Sequence, residues 1–159
     1  MKNGFSLIEI MLAVALAAVI LPAMVFVLSF SLRSAKEGEK YTKAYALSQE
    51  QMEGVYFLKG NTAWDWEVTP ENTAEGEYYQ PKIIADTWQL GSKTTNPAET
   101  EGYTKKVEIK EVRRDATGNI SGDPWAIVDD YSRWISVYVI WSDNGLPVEV
   151  KIDSLVTKY

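Results

Sequence analysis

The sequence predicts an α+β protein: a long N-terminal helix, membrane-spanning in its first half and amphipathic in its second, packed on a small antiparallel C-terminal sheet. Three observations predict it. Residues 10–32 carry no charge. Residues 41–56 repeat their apolar positions at helical spacing. Asn144-Gly145 stands between two alternating runs, a strong two-residue hairpin signal.

The uncharged run comes first. Its 23 residues make a helix of roughly 34 Å at about 1.5 Å per residue, which spans a hydrocarbon core of about 30 Å with some tilt. Arg33 and Lys36 close it on one side and Lys2 precedes it on the other. Ala13-Val14-Ala15 and Ala15-Leu16-Ala17 offer the small residues of a signal-peptide cleavage site. However, the run continues far beyond the 7–15 or so residues of such a segment. A plain signal anchor remains, but neither reading explains Glu9, a carboxylate set where the apolar run has already begun. At a bilayer centre an acidic residue costs about 2.5–3.5 kcal/mol, so it points to a partner. Locally, Ser6-Leu7-Ile8-Glu9 also reads as a capping box, with Ser6 as N-cap and Glu9 reaching back from the first turn. Pro22 removes the hydrogen bond to the carbonyl of Ala18, so a kink or local melting is expected there.

Gly4-Phe5-Ser6-Leu7-Ile8-Glu9, behind Lys2 and Asn3 and ahead of the apolar run, resembles the processing site of the type IV pilin-like family. The resemblance implies a four-residue leader (1–4), a transmembrane and filament-core helix (5–32) and an extracytoplasmic globular domain (33–159). It implies cleavage between Gly4 and Phe5 by a prepilin peptidase, and then N-methylation of Phe5. Glu9 would neutralise the new Phe5 amine of a neighbouring subunit. A buried pair of this kind is weak evidence of net stability but fixes register between helices. Ala13, Ala15, Ala17, Ala18 and Ala23 would allow close helix approach. Many family members carry their proline slightly later, at the place occupied here by Phe26. Charge leaves membrane orientation open, with Lys2 on one side against Arg33, Lys36 and Lys40 on the other; only the resemblance puts the globular part outside.

Beyond the anchor the helix is expected to run to about Lys59. Tyr41, Ala44, Tyr45, Ser48, Met52, Val55 and Tyr56 fall within an arc of roughly 120°, the face a sheet should cover. Gly38 and Gly54 weaken this helix by about 1 kcal/mol each relative to Ala. Residues 60–102 are irregular, with Pro70, Pro81 and Pro97 and short apolar patches at 63–68 and 83–90. Trp64, Trp66 and Trp88 are expected to pack against the body. Residues 105–113 read as a strand, followed by the turn Asp115-Ala116-Thr117-Gly118-Asn119. Residues 134–142 and 147–157 read as a hairpin in which Asp143 opposes Leu146. That register pairs Trp141 with Val148, Val139 with Val150 and Val137 with Ile152, all on one face. A strand ending in Trp, a Gly turn and a last strand running to Leu155-Val156-Thr157 is similar to the C-terminal end of minor pilins and type II secretion pseudopilins.

Composition excludes several functions. Without Cys or His there is no thiolate or imidazole, so no Ser-His-Asp or Cys-His catalysis and no His or Cys metal site. An enzyme is not expected. A net charge of −6 without a Lys/Arg cluster argues against direct nucleic-acid binding. Asp115, Thr117, Asn119, Ser121 and Asp123 alternate oxygen side chains like a calcium loop but lack its closing Glu, and turn chemistry is the preferred reading. No metal or cofactor is expected. Asn119-Ile120-Ser121 is a glycosylation sequon by pattern alone.

The expected function is a structural subunit, a minor pilin or pseudopilin of a type IV pilus or type II secretion-like filament. The partners this implies are other such subunits, the peptidase, membrane lipid, and an inner-membrane assembly platform with its motor ATPase. The implied location is a single-pass membrane protein, and after assembly a surface pilus or periplasmic pseudopilus. The alternative is a signal-anchored extracytoplasmic binding domain that uses loops 60–102.

Overall fold

The computed structural model describes residues 6–60 and 73–158. One helix, α1 (Leu7–Gly60), is followed by β1 (Lys82–Ile84), β2 (Thr87–Gln89), β3 (Glu99–Thr100), β4 (Tyr103–Arg114), β5 (Ile127–Asp143) and β6 (Leu146–Thr157). The protein is α+β, with the helix packed on antiparallel sheets in its C-terminal part. The chain divides into two compact units, residues 1–41 and 42–159, and α1 contributes to both.

In the first unit α1 is helical without interruption through Pro22. The local melting expected there does not occur, because the missing N–H removes one rung while the neighbouring rungs hold the turn.

In the second unit the expected hairpin register is the observed one. Asp143 opposes Leu146, Trp141 opposes Val148, Val139 opposes Val150 and Val137 opposes Ile152. Asn144 and Gly145 both take positive φ (51° and 82°), the pair of left-handed residues that a type I′ turn needs to match the strand twist. The sheet order is β3-β4-β5-β6. β4 and β5 are longer than alternation alone suggested, and their ladder shifts register between Glu111 and Val112. Three residues of β5, Asp130, Tyr131 and Ser132, are extra at that bulge. The shift flips the side-chain parity of β4, so that Ile109 and then Val112 are buried.

The outer edge of β4 is covered in pieces. β3 pairs with its start and Tyr79 bridges Val107. Thr73 exchanges bonds with both backbone groups of Ile109, its N–H donating to the carbonyl at 2.8 Å and its Oγ1 accepting from the N–H at 3.1 Å. Between these, the Gln80 amide stands in for a strand by donating to the carbonyls of Ala98 (3.0 Å) and Lys105 (3.1 Å).

The helix face on the sheet includes the expected Ala44, Ser48, Met52 and Val55 but is rotated so that the expected tyrosines are not part of it. Ala44, Ser48, Gln51, Met52, Gly54, Val55 and Leu58 are buried, whereas Tyr41, Tyr45 and Tyr56 are 45%, 52% and 45% exposed. The buried arc is centred roughly 60° away from the expected one, at about 100° per residue. The small residues Ala44, Ser48 and Gly54 on this face let the helix lie close to the strands, and the three tyrosines fall at its margin. Tyr56 shares a 2.5 Å hydrogen bond with Ser154. The core has two apolar clusters. Met52, Val55 and Leu58 pack with Val107, Ile109, Ile135, Val137 and Val156, and Ala44 packs with Tyr103, Val139, Trp141 and Val150.

Gly54 has a specific task. A Cβ built there would lie 2.7–2.9 Å from ring atoms of Trp88, so the glycine is the notch in which the indole lies. Trp88 packs on the core as expected. Trp64 and Trp66 lie outside the described residues.

Candidate functional site

The first turn of α1 carries the candidate site. Ser6 is the residue before the helix. The backbone N–H groups of Glu9 (3.0 Å) and Ile10 (3.3 Å) donate to its carbonyl, and its own N–H donates to Glu9 Oε2 at 2.9 Å. This is the reach-back half of the expected capping box, which gives an orphan donor a charged acceptor and puts a carboxylate at the positive end of the helix. Glu9 is exposed. The cap uses one of its oxygens, and a carboxylate has acceptor capacity on both. Gly4 and Phe5, the expected cleavage and methylation residues, lie outside the described residues.

Beyond this turn every residue from Leu7 to Leu32 is exposed. Isoleucines, leucines, valines and two phenylalanines project on all sides of the helix. This is one helix long and apolar enough to cross a membrane. Such a surface has no interior of its own, so lipid or other helices must be its solvent. A shallow apolar groove runs along it on both sides of Pro22, lined by Val19, Ile20, Ala23, Met24, Val27 and Leu28.

The Asp115 turn is built by its own side chains. Asp115 Oδ1 accepts from the Thr117 N–H (2.8 Å), the Thr117 hydroxyl (2.7 Å) and the Asn119 N–H (3.0 Å). The Thr117 hydroxyl and the Asn119 amide hold this carboxyl below its usual range. No group of three or more Asp and Glu that could hold a metal ion occurs among the described residues. The carboxylate is thus occupied with turn donors.

Downstream of that turn lies a feature that sequence reasoning missed. Asp123 Oδ1 accepts the Trp125 N–H at 2.9 Å. Arg113 donates to the carbonyls of Pro124 and of Ala126 and forms an ion pair with Glu111. This clamp presents Trp125 to solvent with 91% of its surface exposed. The triplet Asp123-Pro124-Trp125 reads as an ordinary turn, and only the distant Arg113 shows that the turn is held.

On the outer face of the sheet charges alternate and are partnered. Tyr138 donates to Glu108 at 3.1 Å, Lys110 pairs with Glu108 at 2.9 Å, and Ser136 (2.6 Å) and Lys151 (3.0 Å) both reach Asp153. Burial of the Tyr138 phenol and the charge of Glu108 push its pKa up. Burial also works against the charge of Asp153, but Ser136 and Lys151 outweigh it and hold this carboxyl below its usual range. Such a lattice fixes strands rather than performing chemistry.

No known protein family, curated protein or solved structure matches the chain.

Proposed function

We propose that the protein is a membrane-anchored structural subunit of a filament, a minor pilin or pseudopilin, assembled through its N-terminal helix and carrying no catalytic activity. The observation that supports this reading most is the junction at Ser6–Glu9. A carboxylate stands at the head of a helix whose next 23 residues are uncharged and exposed on every side. A simple anchor does not need that acid. A bundle of identical helices, bound otherwise by non-directional apolar contact, needs one directional pair to set axial offset, and a Phe5 amine facing the neighbour's Glu9 provides it. In this reading the globular unit is extracytoplasmic, and Pro22 bends the helix within the bundle.

Two measurements test it. Mass spectrometry of native protein should show residues 1–4 removed and Phe5 methylated; an intact Met1 in assembled material overturns the reading. Glu9→Gln keeps the cap, since glutamine serves there equally, but loses the counter-charge, and the cost of stranding a buried cation is about 3–5 kcal/mol. Membrane insertion should survive while the subunit's recovery in sheared filaments falls sharply. Wild-type recovery leaves Glu9 a cap alone.

A further inference from the structure

The four-stranded sheet carries a knob at one end and a hole at the other. Trp125 is the knob. The groove lies at the end where the β5–β6 turn and the start of β4 meet, with a volume of about 420 Å³, and is lined by Glu99, Thr104, Ile140, Trp141 and Pro147. The clamp that holds Trp125 begins at Arg113, near the far end of β4 and nine residues from Thr104, which places knob and groove roughly 30 Å apart along the strands.

We propose that Trp125 of one copy inserts into the groove of a second copy, stacking the globular units end to end. Size and chemistry select this occupant. An open groove of this volume accepts an indole, Ile140 and Pro147 provide apolar contact, and the Glu99 carboxylate can accept from the indole N–H, which is donor only. The loop is held in advance by Asp123 and Arg113, so little freedom is lost when the ring is covered. Because knob and hole lie at opposite ends of the same strands, the contact is head-to-tail and leaves a knob and a hole free at the two ends of each row. It therefore repeats as an open row rather than closing into a dimer.

An indole buries about 150–250 Å², well below the ~1,000 Å² that a free-standing interface requires. The contact therefore belongs to copies already held side by side, where tethering raises effective concentration, and in this respect the inference rests on the anchored-subunit reading.

The absence of cysteine makes the test clean. Gly122→Cys meets no atom within 4 Å and has no left-handed φ, and Ser142, which also lines the groove, is exposed. Full-length Gly122→Cys and Ser142→Cys chains are co-expressed in native membranes and treated with a short thiol-specific cross-linker. A parallel set of single cysteines at residues 19–28 reports on the anchors. Mixed 122–142 cross-links should form, and Trp125→Ala should lower their yield by about tenfold or more without changing the anchor cross-links. Anchor cross-links without the mixed species overturn the stacking contact and leave the anchored-subunit reading standing. Mixed cross-links without anchor cross-links support the contact and overturn that reading. Mixed cross-links that survive Trp125→Ala overturn the role of Trp125, and no cross-links at all overturn both.

Discussion

The two halves of α1 share one backbone geometry and differ in what surrounds them. Up to Leu32 its apolar side chains face outward on all sides, whereas from Ala44 to Leu58 one face is buried against a sheet and the other is wet. In the second half, stability comes from interlocking with specific neighbours, so single atoms matter. In the first half every described side chain is exposed, and the surface is a demand for lipid or for other helices. Equal substitutions in the two halves should therefore have unequal effects.

The largest contrast comes from truncating an aliphatic side chain. Ile109→Ala empties a fully buried site and should cost about 2–5 kcal/mol of unfolding free energy. Leu16→Ala should leave the same denaturation curve, recorded on full-length protein in micelles, within about 0.5 kcal/mol. Equal losses at both positions would mean that the anchor half folds against the globular unit.

The two interior glycines of the helix sharpen the point. Gly54→Val drives a branched side chain into the Trp88 ring and should cost about 1–3 kcal/mol. Gly38→Ala meets open space and should gain up to about 1 kcal/mol, through reduced freedom of the unfolded chain. Thermal midpoints of the two variants should move in opposite directions.

Gln51 tests the packed half from inside. Its side chain is 1% exposed, and among the described residues neither its Oε1 nor its Nε2 has a hydrogen-bond partner. Replacing this amide with the similarly shaped, apolar Met should raise stability by about 1–2 kcal/mol, visible as a higher urea midpoint. A lower midpoint would show that the amide is satisfied in solution.

The smallest effect is expected from pH. Burial opposes the charge of Asp129, but the Arg114 guanidinium at 2.7 Å, the Ser132 hydroxyl and the Tyr131 N–H together outweigh it and hold the carboxyl below its ordinary value. A folded pKa lower than the unfolded one contributes stability that is present above about pH 4 and is lost as pH falls through the folded value. Denaturation midpoints should therefore drop on acidification, and Asp129→Asn should flatten part of that drop.

The elements most legible in the sequence were those governed by local rules. The β5–β6 register followed from an Asn-Gly turn and period-2 alternation, because a one-residue slip would expose every apolar side chain of the pair. The reach-back bond from Ser6 to Glu9 followed from the spacing of two polar residues ahead of an apolar run. The buried helix face was legible at Ala44, Ser48, Met52 and Val55 but rotated by its tyrosines, because periodicity weighs Tyr41, Tyr45 and Tyr56 by hydrophobicity alone. The sheet instead selects small residues for close approach and leaves the phenols at the margin.

By itself, the sequence determined that the chain has an uncharged helix long enough for a membrane, an acid at its head, and a hairpin of known register. These depend on neighbours within a few residues, or on one short turn. Only the tertiary structure decided that Gly54 is a notch for Trp88, that β5 carries a three-residue bulge, that Gln51 is enclosed without a partner among the described residues, and that Arg113 clamps the turn presenting Trp125. Each of these rests on an atom from a distant part of the chain, or on the space such atoms leave, and a rule that reads neighbours along the sequence has no access to either.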